Sequence, residues 1–358
     1  MNPTAAGPVH QGEREPDVTM PPSEAEASSA QGIAMGSASA PASGGHTDIR
    51  VKGRAFSVRS ARIEGRTVVV TGTWLRTAAV YDEEFVEGEP VPDPEAFLAA
   101  LTRSRLSADI FTFAQKLPDV TPRYGYYREW DNPAVIPITT FSNWWDHQVE
   151  SSVRRAVRKA TKVGVVVEPA ELNDAFVKGV VDIYSETPVR QGKAFWHYQK
   201  DAEAVRTENA TYPERSAFLG AYHKDELVGF LKIIYVDKTA SIVQILSKMK
   251  HFDKRPTNAL IAKAVELCEQ KGLSHLVYCS YVYNDPNSSL TEFKRRNGFE
   301  QLLLPRYYVP VTLKGRIALK LALHRGLARH IPTALLVKLL KLRSLWYSRR
   351  SPITKATA

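Results

Sequence analysis

The sequence predicts an α/β protein with a mixed, mostly antiparallel sheet flanked by helices. Three observations predict it. From Ser216 to Met249 three apolar runs, "SAFLGAY", "LVGFLKIIYV" and "ASIVQILSKM", are separated only by the short polar stretches "HKDE" and "DKT". Connections that short require antiparallel neighbours. On both sides of this meander, segments with apolar residues three and four apart alternate with strand-like runs. The composition, 44% hydrophobic and 24% charged, is that of a globular chain able to bury such a sheet.

Taken in order, the chain opens with a low-complexity stretch. Ala, Gly, Pro and Ser make up 27 of the first 45 residues, with no aromatic among them. It buries too little apolar surface to offset its chain entropy, so residues 1–46 are expected to be a disordered tail. It is acidic in part and lacks an apolar core, so it does not read as a secretory signal. "FSVRSARIEGRTVVVTG" reads as two strands around Glu64-Gly65. "DPEAFLAALTRS" is a helix opened by Asp93 and Pro94, "ADIFTFAQKLPD" a strand closed by Pro118, and "AVIPI" a short strand. In "SNWWDHQVESSVRRAVRKATKVG" the spacing of Trp145, Val149, Val153, Ala156 and Ala160 predicts one amphipathic helix, capped by Ser142 or Asn143 and ended by Gly164. Its cations Arg154, Arg155, Arg158, Lys159 and Lys162 form a solvated face or meet an anionic partner. A strand "VGVVVEPA" and a helix "ELNDAFVKGVVDIYSETP", stopped by Pro188, follow, then a helix within 200–209. After the meander come a basic loop "KHFDKRPTN", a helix "ALIAKAVELCEQKG", a strand "SHLVYCSYVY", a helix "SSLTEFKRRNG" and a last strand "FEQLLLPRYYVPV".

The formal net charge is +10, but eleven Lys and Arg and no acidic residue lie between Val311 and Ala358, leaving 37 basic against 38 acidic residues elsewhere. The basicity belongs to the C-terminal tail, which excludes a body that grips a long polyanion over its whole surface. Cys268 and Cys279 are too few for a disulfide framework or a cysteine-rich zinc site and fit a reducing, cytoplasmic compartment. Residues 313–358 read as two leucine-rich basic helices broken near Pro332, with Arg316, Lys320 and His324 four residues apart on the first. No run is long enough to span a bilayer, so the tail is expected to lie on an anionic membrane surface, at the inner face of the membrane, or to pack on the body.

The order of three antiparallel strands, helix, strand, helix, strand, with "FKRRNGFE" before the last strand, resembles the GNAT acyltransferases. Together with the upstream "RRAVRKATKVGV" it is similar to their FemAB-like branch, which carries two GNAT-like units in tandem and acylates cell-wall or cell-envelope amines. The resemblance covers roughly Phe56 to Val311. It implies a degenerate first unit over residues 47–141, the connecting basic helix 142–164, and an acyltransferase unit over 165–312. It also implies an acyl-CoA donor, whose pyrophosphate the family holds on a glycine-rich turn before the central helix. Here that segment, "KHFDKRPTNALIAK", has no glycine, and Pro256 has no N–H to give. Lys250, Lys254 and Arg255, with Asn258 as N-cap, are the residues left for an anion at that helix N-terminus. Where many of these enzymes carry a tyrosine that protonates the leaving thiolate, this chain has Lys294; Tyr278, Tyr281 and Tyr283 are possible substitutes.

Acyl transfer to an amine needs a deprotonated amine, a polarised carbonyl and two substrates held together. No Gly-x-Ser-x-Gly, His-Glu-x-x-His or Walker pattern competes with this reading, and no metal is expected. "ETPVRQGKAFWHY", 186–198, gathers reactive side chains on one irregular segment. Its His197 and Glu186 are candidate bases; Arg190 and Lys193 can hold an acidic group; Trp196 and Tyr198, with Tyr281, can contact a small-molecule or lipid-linked saccharide. The bland alternative is a loop pinned to the sheet by its aromatics. The leading expectation is thus an enzyme, an N-acyltransferase acting on an amino group of a cell-envelope saccharide precursor. Two others stand beside it: an aminoacyl transferase using charged tRNA, the one nucleic acid expected, and a GNAT-like scaffold without catalysis.

Overall fold

The computed structural model describes residues 45–325, except 52–53, 191–192 and 284. The readings of residues 1–44 as a disordered tail and of 326–358 as a basic helical tail lie outside the described residues. The chain forms two compact units.

Of the described residues, one unit holds 45–133, 235–237 and 301–325. Its strands are β1 (Gly45–Val51), β2 (Arg54–Ile63), β3 (Arg66–Thr71), β4 (Thr77–Val80), β5 (Ile110–Ala114) and β6 (Tyr127–Asp131). A seventh, β16 (Leu304–Pro310), lies between β5 and β6, giving the order β1-β2-β3-β4-β5-β16-β6. β4 and β5 run parallel, as their connection through helix α1 (Pro94–Arg103) requires, while β1 to β4 form an antiparallel meander and β16 is antiparallel to both its neighbours. Asp93 caps α1 by accepting the N–H groups of Glu95 and Ala96, as its sequence predicts. The core joins Phe97 of α1 to Phe111, Phe113 and Tyr307 of the sheet, with ring centroids 5.1, 5.6 and 5.2 Å apart in succession. Helix α8 (Leu313–Lys320) packs on this sheet, burying Gly315, Ala318 and Leu319.

The other unit comprises 134–234 and 238–300. Its sheet has the order β15-β7-β14-β13-β12-β11-β8. The strands are β7 (Pro133–Pro137), β8 (Val165–Ala170), β11 (Ser216–His223), β12 (Glu226–Val236), β13 (Thr239–Ser247), β14 (His275–Ser280) and β15 (Glu300–Gln301). A small hairpin apart from it pairs β9 (Val189–Arg190) with β10 (Lys193–Ala194). Helices α4 (Asp174–Tyr184) and α5 (Ala202–Asn209) lie before the meander; α6 (Pro256–Gln270) carries the parallel crossover from β13 to β14, and α7 (Ser289–Arg296) follows. Phe176, Val180, Ile183 and Tyr184 of α4 pack on Phe218, Phe230 and Leu246 of the sheet. Both units are therefore α/β, each a mixed, mostly antiparallel seven-stranded sheet with helices on it.

Two expectations are corrected here. The last strand, read as completing the second unit, splits after Gln301: β15 stays in that unit's sheet, while β16 joins the first sheet. The helix read over 142–164 is also interrupted. A single turn α2 (Phe141–Asn143), capped by Thr140 rather than by Ser142 or Asn143, leads into a π-helical turn over Trp144–Gln148, and α3 (Ser151–Lys162) begins afresh. A π turn inserts an extra residue per turn. The apolar period therefore lands on Trp144, 1% exposed, and leaves Trp145 half-buried.

Candidate active site

The most telling geometry is where β13 and β14 part. The parallel strands pair only at Thr239–Ser241 with His275–Val277. Beyond that β13 continues to Ser247 and β14 to Ser280 with no ladder pair between them among the described residues. Cys279 bends β14 there: its φ of +49° lies in the left-handed region that a non-glycine residue enters only at a cost. Its Sγ stands 4.0 Å from Ile242 O across the gap. Strands that part after a common pairing leave the main-chain groups of their ends without partners in each other.

Lys294, on α7, closes one side. Its side chain is fully buried, donates to Ser280 O at 2.5 Å, and lies 4.7 Å from the ring centroids of both Tyr278 and Tyr283. Tyr281 is half-buried, and burial raises its hydroxyl above the usual range. The "RRNGF" motif after Lys294 is structural. Asn297 donates to Phe293 O and accepts from the side chain of Asn258, Gly298 has a φ of +81° with a Cβ there meeting Trp144 Nε1 at 3.0 Å, and Phe299 packs on Tyr278.

The 186–198 segment borders the other wall, β13. One end of the Gln244 side-chain amide lies 2.5 Å from Tyr184 Oη and 3.3 Å from His197 Nε2, and Arg190 donates to Ser247 O at 3.2 Å. The side chains of this segment make contacts within the protein. Glu186, read as a base, accepts the main-chain N–H groups of Met249 and Lys250 at 2.6 and 2.9 Å and lies 3.5 Å from Arg190. It tethers the 3-10 helix Met249–Lys254. Arg190, read as a substrate contact, is 6% exposed. Besides Ser247 O it donates to Ile183 O at 3.0 Å, and it lies 4.5 Å from the Phe195 ring centroid. The side chain of Lys193 lies outside the described residues.

His197, the other base candidate, is 3% exposed and stacked between Tyr184 and Trp196, with centroids 4.3 and 3.5 Å away. Its Nδ1 lies 3.0 Å from Lys200 Nζ, itself 2.8 Å from both carboxylate oxygens of Glu208. An ammonium only donates, so Nδ1 accepts and the ring proton sits on Nε2. The Gln244 amide orientation that serves this tautomer turns Oε1 toward it. Burial, with the charges of Lys200 and Arg190 beside it, pushes the imidazole well below its ordinary pKa. With one nitrogen occupied and the other protonated, His197 is a hydrogen-bond donor rather than a base. Trp196 is 36% exposed under Lys200, and Tyr198 is half-buried against the α4 core.

The anion residues of the sequence reading are spent in a similar way. Lys250 pairs with Glu226 at 2.8 Å, as does Lys248 at 2.7 Å, and these partners with His251 hold Glu226 down at about 2. Lys254 pairs with Asp253 at 3.4 Å, and Arg255 takes a left-handed φ of +61° at the start of α6. Asn258 is not the N-cap. It is buried one turn in, on Asn297, while Thr257 meets Ser247 across 2.8 Å. The structure therefore links 186–198, the end of β13 and the N-terminus of α6 through Glu186, Arg190, Ser247 and Thr257. Sequence reasoning missed Gln244, Tyr184, the Cys279 bend and Lys232. The last is fully buried on three oxygens of Asn209 and Thr211 and pushed down to about 7 by burial. Among the described residues no cluster of His, Cys, Asp or Glu could hold a metal ion, and no helix is long and apolar enough to cross a membrane.

No known family profile matches the sequence, and no curated protein does. Among solved structures, the chain is similar to L-PGS from Bacillus licheniformis at 14% identity, covering 76% of this chain and 89% of that one with a TM-score of 0.47. It is similar to FemX at 10% identity, 79% and 94% coverage and a TM-score of 0.46. It is also similar to a tandem GNAT protein from the clavulanic acid biosynthesis pathway, at 13% identity, 85% and 91% coverage and a TM-score of 0.41. These likenesses are distant, and what those proteins act on is theirs.

Proposed function

We propose that the protein is an acyl-group transferase whose donor lies in the slot between β13 and β14 and whose acceptor is an amine. The observation that carries this is the three-pair contact of the two strands, followed by their divergence beside the buried ammonium of Lys294. The pantetheine arm of an acyl-CoA is an extended chain with two amides, the form such a slot suits. In the reaction the amine nitrogen bonds to the thioester carbon and the carbon–sulfur bond breaks. The nitrogen sheds one proton and the departing thiolate gains one, so the step balances. Lys294 of α7, bonded to Ser280 O at the end of β14, is the proton donor in this reading, and the strand amides orient the donor. His197 is a positioning residue through Gln244. The amine base is left without an assigned residue.

The finer reading keeps an acyl-CoA as donor and an amino group of a cell-envelope saccharide precursor as acceptor. The paired state of Lys250 and Lys254 with Glu226 and Asp253 argues against a strong fixed site for the coenzyme's phosphates, which keeps charged tRNA as the second donor. Differential scanning fluorimetry with acetyl-CoA, longer acyl-CoAs and aminoacyl-tRNA separates the two, because a ligand that binds only the folded state raises the midpoint. Stabilisation by an acyl-CoA in the wild type, kept in Lys294→Met while turnover of a generic amine is lost, supports the proposal. Stabilisation by tRNA alone, or by neither, overturns it.

A further inference from the structure

The first unit displays an apolar stripe with a basic border. On α8, Leu313, Ile317 and Leu321 recur every four residues and are 70, 49 and 57% exposed. Arg316 and Lys320 stand exposed between them. Trp74, 53% exposed, sits at the N-terminal end of the stripe under the Lys314 side chain, whose Nζ is 5.2 Å from the ring centroid and donates to Trp74 O. The opposite side of α8 is firmly seated: Ala318 and Leu319 are buried on Ile110, and Thr312 and Lys314 bond the buried Asp109 carboxylate. The exposed apolar side is therefore not the side the helix needs for folding. His324, which the sequence aligned with Arg316 and Lys320, belongs to the seated side. It packs against Tyr308 and pairs with Glu129 at 2.7 Å, and Arg325 does so too.

We propose that this face docks on an anionic lipid surface, with Leu313, Ile317, Leu321 and Trp74 entering the headgroup–acyl boundary and Arg316 and Lys320 contacting lipid phosphates. Charge complementarity selects the occupant. The face is basic, and the chain from Val311 onward carries no acidic residue, so this chain's own C-terminal segment is of like charge and is disfavoured as its cover. An apolar ridge bordered by cations, with a tryptophan at one end, matches the layered polarity of a bilayer interface. The inference is independent of the reaction proposed above.

The test uses the full chain and vesicles of phosphatidylcholine alone or mixed with phosphatidylglycerol. An environment-sensitive fluorophore on Ile317→Cys, corrected with labelled wild type for the native thiols, is expected to shift to the blue only on the phosphatidylglycerol vesicles. The combined Leu313→Ser, Ile317→Ser and Leu321→Ser variant, altered only at exposed positions, is expected to bind them on the order of a hundredfold more weakly. No binding by the wild type overturns the proposal. So does binding with a silent probe and an unaffected triple variant, which assigns the contact to another part of the chain. Concentration-dependent dimerisation in buffer that the triple variant abolishes assigns the face to a second copy and overturns it as well.

Discussion

Arg190→Ala separates a structural arginine from a substrate-binding one. The guanidinium is 6% exposed and donates to two main-chain carbonyls, Ser247 O at 3.2 Å and Ile183 O at 3.0 Å. It also lies 4.5 Å from the Phe195 ring centroid and 3.5 Å from Glu186. A hydrogen bond from a charged donor is worth about 1.5–3 kcal/mol, and a desolvated cation–π contact up to about 2. Against these stands the cost of burying the charge, which the alanine variant no longer carries. The balance is a loss of about 3 kcal/mol. At a urea m-value of about 2 kcal/mol/M, the midpoint should fall by about 1.5 M. Urea titrations of wild type, Arg190→Ala and Arg190→Lys, followed by tryptophan fluorescence, measure it. The lysine variant keeps the charge but cannot span both carbonyls, so it should fall between the other two. A midpoint within about 0.3 M of wild type, together with lost turnover, would refute the reasoning and return Arg190 to the substrate.

Gly315→Ala should unseat α8, because a Cβ at that position would stand 1.8 Å from Asp109 O, which already accepts Val311 N–H at 2.9 Å. A loss of about 2–3 kcal/mol in thermal unfolding, with faster proteolysis within 313–325, is expected. The same seat gives a pH dependence. Burial alone would raise the Asp109 carboxyl, but the N–H and guanidinium of Arg76, the Thr312 hydroxyl and Lys314 outweigh it and hold the group below the ordinary aspartate value. A depressed carboxyl adds stability that is complete above the unfolded pKa of about 3.9 and is lost as pH falls through the folded value. Asp109→Asn should therefore be less stable than wild type at neutral pH, with the gap closing below about pH 4 in acid-unfolding curves.

The meander and α6 were legible because their signals are local. Apolar runs separated by three or four polar residues admit one arrangement, and α6 is apolar over most of its circumference and buried to match. What was not legible depends on distant partners. Arg190 meets Ser247 57 positions away, and Glu186 meets Met249 and Lys250 more than 60 positions away, so residue type alone read them as free for substrate. "FEQLLLPRYYVPV" is mostly apolar, and its period does not say which sheet offers an open edge or gap; β16 found one between β5 and β6. At α8 the four-residue spacing of the cations is visible in the sequence, but not that Leu313, Ile317 and Leu321 stay exposed. Seating that helix through Asp109 left the apolar row outside.

The opening between β13 and β14 is a held feature and not a frayed end. Fraying leaves strand ends exposed and poorly partnered. Here the end of β13 is tied at Ser247 by Arg190 through the carbonyl and by Thr257 through the hydroxyl, and at Gln244 by Tyr184. The end of β14 is tied at Ser280 O by Lys294, on a helix locked in turn by Asn297 to Asn258 of α6. Left-handed backbone at a cysteine persists only where the surroundings over-determine it, and Cys279 sits between these two sets of ties. Glu186, Arg190 and His197 of 186–198 are engaged at β13 and the helix that follows it. In the reaction we propose, the strand amides, Tyr278, Tyr281, Tyr283 and the Lys294 ammonium bonded to Ser280 O are the groups that would hold a donor and protonate what leaves it.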